Sequence, residues 1–477
     1  MKKLLTALVL ACMFLNVQAA YSIKAKEEPI DKTEFLNLNW WKKYNDDKLV
    51  DYLLVAYDNN QDLKIAGYNT QQALQVTKMS FAKELPSLSF DGQYQREFES
   101  SEIRFGDTVI PNYNQSRFIL PLTMAYEFDI WGKNRLKTKS LKVQQEIVSQ
   151  DEKSAYISLT SAIAANYFNL IKAQNLIKNQ KELVELQKEI VKKEEIKHKA
   201  GLAPVTELIE EKQALQFFEA ELNNLIENED LLKNKLLVLL GDSQAKISTN
   251  EDFNIFPVPN SLSPELIQNR PDVIKSANYI DKSRFDVRIA KKDFLPSFLI
   301  YGQVGFNAYQ LNRIFTPASW LSAIGVSPSV DLFTGGLKTS ILRYKKLEYE
   351  KALQGYQKTL LVSLQELNDS LLSAKIAQKN YEKMESNFNF EQNLFNLSEK
   401  QIAIGSKSEL EHLKAKQALL IAKKNEISAK ANCLLTSINI YKAAGGVDYT
   451  ANETTEQENI WLLHDELKAI IRIWKNL

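Results

Sequence analysis

The sequence holds few of the residues that interrupt or cross-link a chain. Its 477 residues include 2 cysteines, Cys12 and Cys433. Cys12 lies in the N-terminal apolar stretch, so a chain cut beyond it keeps one thiol and no internal disulfide. The 15 Gly and 12 Pro are few for this length, and neither type occurs between Gly132 and Gly201. Scarce breakers with abundant Leu, Lys, Glu, Gln and Ala indicate long helices. The 3 histidines, His198, His412 and His464, lack a second His or Cys at metal-ligand spacing, and those near the tips described below are expected to be solvated. There is no Walker loop, dinucleotide fingerprint or Gly-x-Ser-x-Gly string, so neither catalysis nor a cofactor is expected. Net charge is +1, which gives no field that would favour nucleic acid. No internal run approaches the ~20 apolar residues of a membrane helix. Entry into a bilayer would require a β-barrel.

What is present begins with an export signal. Lys2 and Lys3 precede an apolar stretch from Leu4 to Leu15, and Val17-Gln18-Ala19 is a small-residue cleavage site. This predicts a signal peptide over 1–19. The competing reading is a lipoprotein signal, Val9-Leu10-Ala11-Cys12, with lipid on Cys12; Leu10 and the short segment before it fit that pattern less well.

The remainder is written twice. Gly201 and Lys212-Gln213-Ala214-Leu215 recur as Gly405 and Lys416-Gln417-Ala418-Leu419. Leu85-Pro86-Ser87 with Gly92-Gln93 recurs as Leu295-Pro296-Ser297 with Gly302-Gln303. Asp129-Ile130-Trp131 is echoed by Asp331-Leu332-Phe333, and Leu136-Lys137-Thr138 by Leu337-Lys338-Thr339. Matches in one order at a nearly constant offset indicate an internal duplication, with halves at about 35–242 and 262–446.

Each half predicts a helix (about 47–83, then 264–293), two strands, and two long helices. The strands are expected at 88–98, 118–128, 298–306 and 322–332, because apolar residues alternate there with period two. Leu122 and Met124 fall on the apolar face of the second, Val326 and Val330 on that of the fourth. In 134–199, Tyr156, Ile163, Leu170, Ile177, Val184 and Val191 stand seven apart; Leu353 to Ile402 do the same in 338–404. Such a repeat predicts coiled-coil packing.

Strands of about ten residues match membrane-spanning β-strands, with Tyr126, Phe128, Trp131, Phe298 and Trp320 near their ends as an interfacial girdle. Alternation alone fits a half-buried soluble sheet equally well. Four strands cannot close a spanning barrel, so in lipid the barrel would have to be shared between chains.

Several strings resemble one family. They are Trp40-Trp41 with Asn59, Asn60 and Leu63; Tyr126-Glu127-Phe128-Asp129-Ile130-Trp131-Gly132; Ala200-Gly201-Leu202-Ala203; Leu239-Leu240-Gly241; Asn269-Arg270-Pro271-Asp272-Val273; Leu295-Pro296; and Tyr441-Lys442-Ala443-Ala444-Gly445-Gly446. Together they resemble the TolC-like outer-membrane efflux proteins, in the branch that partners RND pumps. The resemblance covers residues 20–446. It implies a fold that is mainly α with a transmembrane β-barrel: a homotrimer sharing twelve strands in the outer membrane of a Gram-negative bacterium and a helical tunnel across the periplasm. The implied partners are outer-membrane lipid, a periplasmic adaptor and an inner-membrane RND pump, with an ABC exporter of a type I secretion system as the alternative. A structural coiled-coil surface protein is the reading from another class; it leaves the paired strands unexplained.

The turns at Gly201 and Gly405 then become hairpin tips, with Gly201, Leu202, Ala203, Gly405 and Ser406 as adaptor contacts. The sixth and ninth residues beyond each glycine are Glu207 and Glu210, then Glu411 and Lys414. The resemblance implies acidic rings at these offsets around the periplasmic aperture. Lys414 departs from that pattern and stands one helical turn from Glu411, so it can pair with Glu411 of its own chain or of a neighbouring copy, the alternative being that both are solvated tip charges. The tail, 447–477, carries Ile460, Trp461, Leu463, Leu467, Ile470, Ile471 and Trp474 in an amphipathic pattern outside the resemblance.

Overall fold

The computed structural model describes residues 37–448, apart from 100–103, 106–107, 110–112, 256 and 260. The expected signal peptide, Cys12 and the tail from 449 onward lie outside the described residues.

Two helices of 67 residues dominate, α4 (Lys133–Lys199) and α7 (Leu337–Ala403). At 1.5 Å per residue each runs about 100 Å. α5 (Val205–Leu240) returns along α4, and α8 (Glu409–Ala443) along α7. Shorter helices precede them: α1 (Leu38–Lys42), α2 (Asp47–Asn59), α3 (Gln61–Ala82) and α6 (Pro271–Lys292). The helices expected over 47–83 and 264–293 are each broken once. Asn60 is extended (ψ 128°), and its side chain accepts from the Leu63 amide at 2.9 Å. Arg270, at the matching place in the second half, is also extended (ψ 130°), because the residue before a proline is kept out of the helical region. A short 3-10 helix, Pro264–Asn269, precedes it.

The seven-residue seam of α4 is real: Tyr156, Ile163, Leu170, Ile177, Val184 and Val191 are all buried. A second, polar seam runs beside it. Asn166, Gln180 and Gln187, also spaced by multiples of seven, are buried and donate to main-chain carbonyls of α5 at Leu232, Phe218 and Glu211 (2.8, 3.0 and 3.0 Å). These bonds satisfy amide nitrogens that are buried along the hairpin seam.

The largest core lies midway along the helices. Trp40 stacks on Tyr441 (5.4 Å between ring centroids), and Trp41, Tyr44, Tyr167 and Phe168 pack around them. Asp46 caps α2 through the Leu49 amide and accepts from the Tyr167 hydroxyl at 2.8 Å. Here the Arg270-Pro271-Asp272 string has its physical role. Arg270 is nearly buried, forks onto Asp272 (2.7 and 3.0 Å), reaches Glu366 of α7 (2.7 Å), and donates to the Ala443 carbonyl at the end of α8 (2.9 Å). One guanidinium thus ties three helices. Gly445 (φ +77°) lies so close that a Cβ would stand 2.8 Å from Arg270 Cα.

At one end sits an antiparallel sheet of β1 (Ser87–Phe90), β2 (Gln93–Glu99), β5 (Tyr113–Glu127), β6 (Ser297–Ala308) and β7 (Trp320–Ser329); β3 (Arg104–Phe105) and β4 (Thr108–Val109) form a separate small ribbon. β1 and β2 pair with β5 in one continuous register, interrupted opposite Pro121, which has no N–H to give. They count as one strand, so the main sheet has four strands with two unpaired edges. The fourth strand stops at Ser329, short of the expected 332. Val330 lies outside it, because the chain after Pro328 turns toward Gly335 and Gly336 (φ +59° and +86°) and Asp331 pairs with Lys338 at 3.0 Å.

The helices form a wall one layer thick. Nearest the sheet the packing order is α3–α4–α6–α7; toward the far end it is α5–α4–α8–α7. The flanks are therefore α3 and α5 on one side and α7 on the other.

Candidate functional site

Three surfaces carry the expected functional residues: the sheet, the flanks and the hairpin tips. On the sheet, directly opposed residues share a face. Leu122 stands opposite Phe90 on one side and Val304 on the other; Met124 opposite Leu88 and Gly302; Tyr126 opposite Ile300; Ile300 opposite Val326. The register therefore gathers Leu88, Phe90, Leu122, Met124, Tyr126, Ile300, Val304, Ile324 and Val326 on one face. The reverse face is mixed: Ser89, Gln93, Thr123, Gln303 and Ser327 stand there beside Ile119, Leu299, Tyr301 and Leu321. Leu122, Met124 and Val326 belong to the apolar face as expected.

The flanks are apolar and uncovered. On α7, Ile341, Val362, Ile376, Phe390 and Leu397, with Ile404 just past its end, are exposed and spaced by multiples of seven. They lie opposite the seam that α8 covers, so α7 carries a second, bare stripe that is apolar except at Glu348, Gly355, Asp369 and Lys383. On the other side, Ile65, Tyr68 and Met79 of α3 and Val205, Phe217 and Val238 of α5 are exposed.

Both tips close in the same way. Gly201 and Gly405 take φ +73° and +71°. The Gly201 amide reaches the His198 carbonyl and Leu202 the Lys197 carbonyl; Gly405 reaches Ile402 and Ser406 reaches Gln401. This is the double closure in which a left-handed residue ends a helix. Leu202, Gly405 and Ser406 are exposed and Ala203 half-buried. The histidines expected to be solvated have partners. His198 Nδ1 is 3.1 Å from the Ala203 carbonyl. His412 stacks on Phe395, and its Nδ1 is 2.6 Å from Ser398 Oγ.

Within the chain, Glu411 and Lys414 do not pair with each other. Glu411 turns back to cap its own helix, accepting from the Ser408 amide (2.9 Å) and hydroxyl (2.7 Å) while its amide donates to Ser408 Oγ. These bonds hold its carboxyl below the usual range. Lys414, one turn on, reaches Glu211 of the first hairpin instead (2.8 Å), and that bond raises the ammonium above its ordinary value. Glu211 also accepts from Gln187 (2.7 Å), and Gln187 accepts from Gln417 (2.7 Å). Lys193 with Glu409 (2.6 Å) and Lys424 with Glu221 add further ties between the hairpins. Glu207 and Glu210 are exposed, with no ion pair among the described residues. Glu211 and Gln187 carry no sequence signal for this role, because the residues that complete it, Lys414 and Gln417, lie more than 200 residues away along the chain.

Comparison with known proteins gives a consistent result. The profile of the family described as "Outer membrane efflux protein" matches residues 54–241 and 262–446. A toluene efflux pump outer membrane protein of Pseudomonas putida, TtgC, is 23% identical over 430 residues, covering 88% of this chain and 87% of that protein. A pyoverdine export outer membrane protein of Pseudomonas aeruginosa, OpmQ, is 21% identical over 413 residues, covering 85% and 87%. Among solved structures, the CmeC outer membrane channel of Campylobacter jejuni superposes with a TM-score of 0.77 at 24% identity, covering 87% of this chain and 90% of that one.

Proposed function

The chain belongs to the outer membrane efflux protein family, and from that premise we propose that three copies form the exit duct of a tripartite pump. Members of the family are outer-membrane channels that extend into the periplasm and work with an adaptor and an inner-membrane pump. The observation that carries the trimer is the match between open edges and bare flanks. The sheet has two unpaired edges and one apolar face, which lipid tolerates only in a closed barrel. Each copy also offers α3 and α5 on one side and the bare stripe of α7 on the other, a head-to-tail interface that closes into a ring. Three copies give twelve strands.

In this reading the apolar face meets lipid and the reverse face lines the lumen. The tips at Gly201, Leu202 and Ala203 and at Gly405 and Ser406 receive the adaptor. The pump is of the RND type. Lys414 and Glu211 hold the second hairpin to the first and narrow the aperture; Glu411 shapes the tip by capping α8. Glu207 and Glu210, unpaired and exposed, supply the cation-attracting charge there. Relatives named for toluene and for pyoverdine are about equally similar to this chain, so cargo choice is assigned to the pump. Native mass spectrometry with single-channel recording in planar bilayers tests the proposal. A trimer with a defined conductance is expected; a monomer that inserts without conducting would refute it.

A further inference from the structure

Immediately beyond the sheet, a cavity of about 360 Å³ opens where α3, α4 and α6 meet, lined by Phe81, Trp131, Arg135, Lys139, Lys142, Arg288 and Lys292 among others. It is strongly basic. Arg135 is ion-paired with Asp129, and Lys292 donates to the Trp131 carbonyl. Lys139, Lys142 and Arg288 have no carboxylate partner among the described residues. The one carboxylate lining the cavity, Glu84, accepts from Thr138.

The side of the wall on which it opens follows from helix geometry. At ~100° per residue, Arg135, Lys139 and Lys142 lie within about 60° of one another, whereas Lys133 and Lys137 lie on the opposite side of α4. The charges acting on Lys137 include Glu127, which belongs to the polar face of β5. Lys133 and Lys137 therefore look toward the polar face. Arg135, Lys139 and Lys142 look outward, below the apolar face. Trp131 and the exposed Phe128 and Ile130 mark the same level, where an aromatic belt meets the headgroups.

We propose that this cavity binds the phosphate headgroup of an anionic phospholipid from the periplasmic leaflet. Three unpaired cations supply the charge for a phosphodiester, and Trp131 and Phe81 supply an apolar rim for the glycerol and the first methylenes. The site rests on the strands spanning the outer membrane, as read above.

The test uses the full-length protein in nanodiscs, with bound lipid counted by native mass spectrometry. Phosphatidylglycerol should be retained in preference to phosphatidylcholine. Each cation removed should weaken retention about fivefold, so that Lys139→Gln/Lys142→Gln/Arg288→Gln weakens it roughly a hundredfold. Lys137→Gln, on the opposite face, should leave it unchanged. All these side chains are exposed, so the variants should fold, and retention of the wild-type oligomer checks that they do. Equal retention of the two lipids, or the same loss in Lys137→Gln as in the triple variant, would overturn the proposal. Displacement of the lipid by millimolar inorganic phosphate would make this a free-anion site and overturn it too. Failure to insert into bilayers at all would sink the membrane reading and this site together, whereas insertion without lipid preference would sink only the site.

Discussion

Leu122 offers the sharpest test of which sheet face meets lipid. On β5 it stands midway between Arg117 and Glu127, the charged residues that bracket it on the reverse face. Ten residues at ~3.4 Å, tilted by ~40°, span about 26 Å, close to the ~25 Å apolar band of a membrane barrel. Leu122 is thus at the midplane, between Phe90 and Val304. An outward arginine there should cost about 2–4 kcal/mol per chain. Three copies in one barrel would multiply this to roughly 6–12 kcal/mol. Its neighbour Thr123 points the other way, between Ser89 and Gln303, where a water-filled lumen accepts charge at little cost. The assay is urea-driven folding into lipid vesicles, followed by heat-modifiable mobility on gels. Leu122→Arg should abolish or strongly impair folding while Thr123→Arg folds and shifts ion selectivity. Equal costs, or the reverse order, would refute the assignment of the faces.

Other expectations follow from the tips and the waist. Gly201→Pro or Gly405→Pro should abolish export in a complementation assay yet leave the barrel inserted, because proline cannot take φ near +70°. Lys414→Ala and Glu211→Ala should each raise conductance, and the double variant should add little beyond either single, as a double-mutant cycle would reveal. The Glu411 cap has a lowered folded pKa, so its contribution is present above the unfolded value of about 4.3 and is lost as pH falls through the folded one. Tip protection in hydrogen exchange should therefore hold at neutral pH and drop only in acid. Arg270→Ala removes a nearly buried guanidinium and leaves the Ala443 carbonyl unpaired; with Asp272 and Glu366 half exposed, a loss of about 2–4 kcal/mol is expected by thermal unfolding in detergent.

The long elements were legible because their signals are local. The period-seven seam from Tyr156 to Val191 and the alternation around Leu122 place their side chains whatever the rest of the chain does. The glycine tips were legible for the same reason: a left-handed closure is a property of a few consecutive residues. What the sequence hid is non-local. Lys414 has a carboxylate three residues before it and still pairs with Glu211, because the Ser408 cap claims Glu411 first. Asn166, Gln180 and Gln187 look like solvated polar positions until α5 supplies carbonyls opposite them. Val330 continues the alternation of the fourth strand, but pairing ended at Ser329, where the chain leaves β6.

The duplication, combined with the cross-hairpin ion pairs, specifies a contact between copies. Near the tips, residue i of the first half corresponds to i + 204 of the second, as Gly201 and Gly405 show. Within one chain α4 packs on α8, tied by Lys193 and Glu409. The equivalent of α4 is α7, and that of α8 is α5 of whichever copy lies alongside α7. In a ring of copies built as proposed, the contact corresponding to Lys193 with Glu409 would be Leu397 with Val205 of the neighbouring copy. Both residues are apolar, and they are 53% and 50% exposed in the single chain. The proposed ring would then put charge at the joint inside the chain and apolar surface at the joint between chains. Uncovered apolar residues at equivalent places on the two flanks are what a heterologous ring requires. Placing cysteines at Leu397 and Val205 and treating the assembled protein with a short bismaleimide should give covalent dimers and trimers. Either single cysteine alone should give none. A product cross-linked only within one chain, or none at all in protein that is demonstrably trimeric, would refute the equivalence and require another helix to cover the bare stripe of α7.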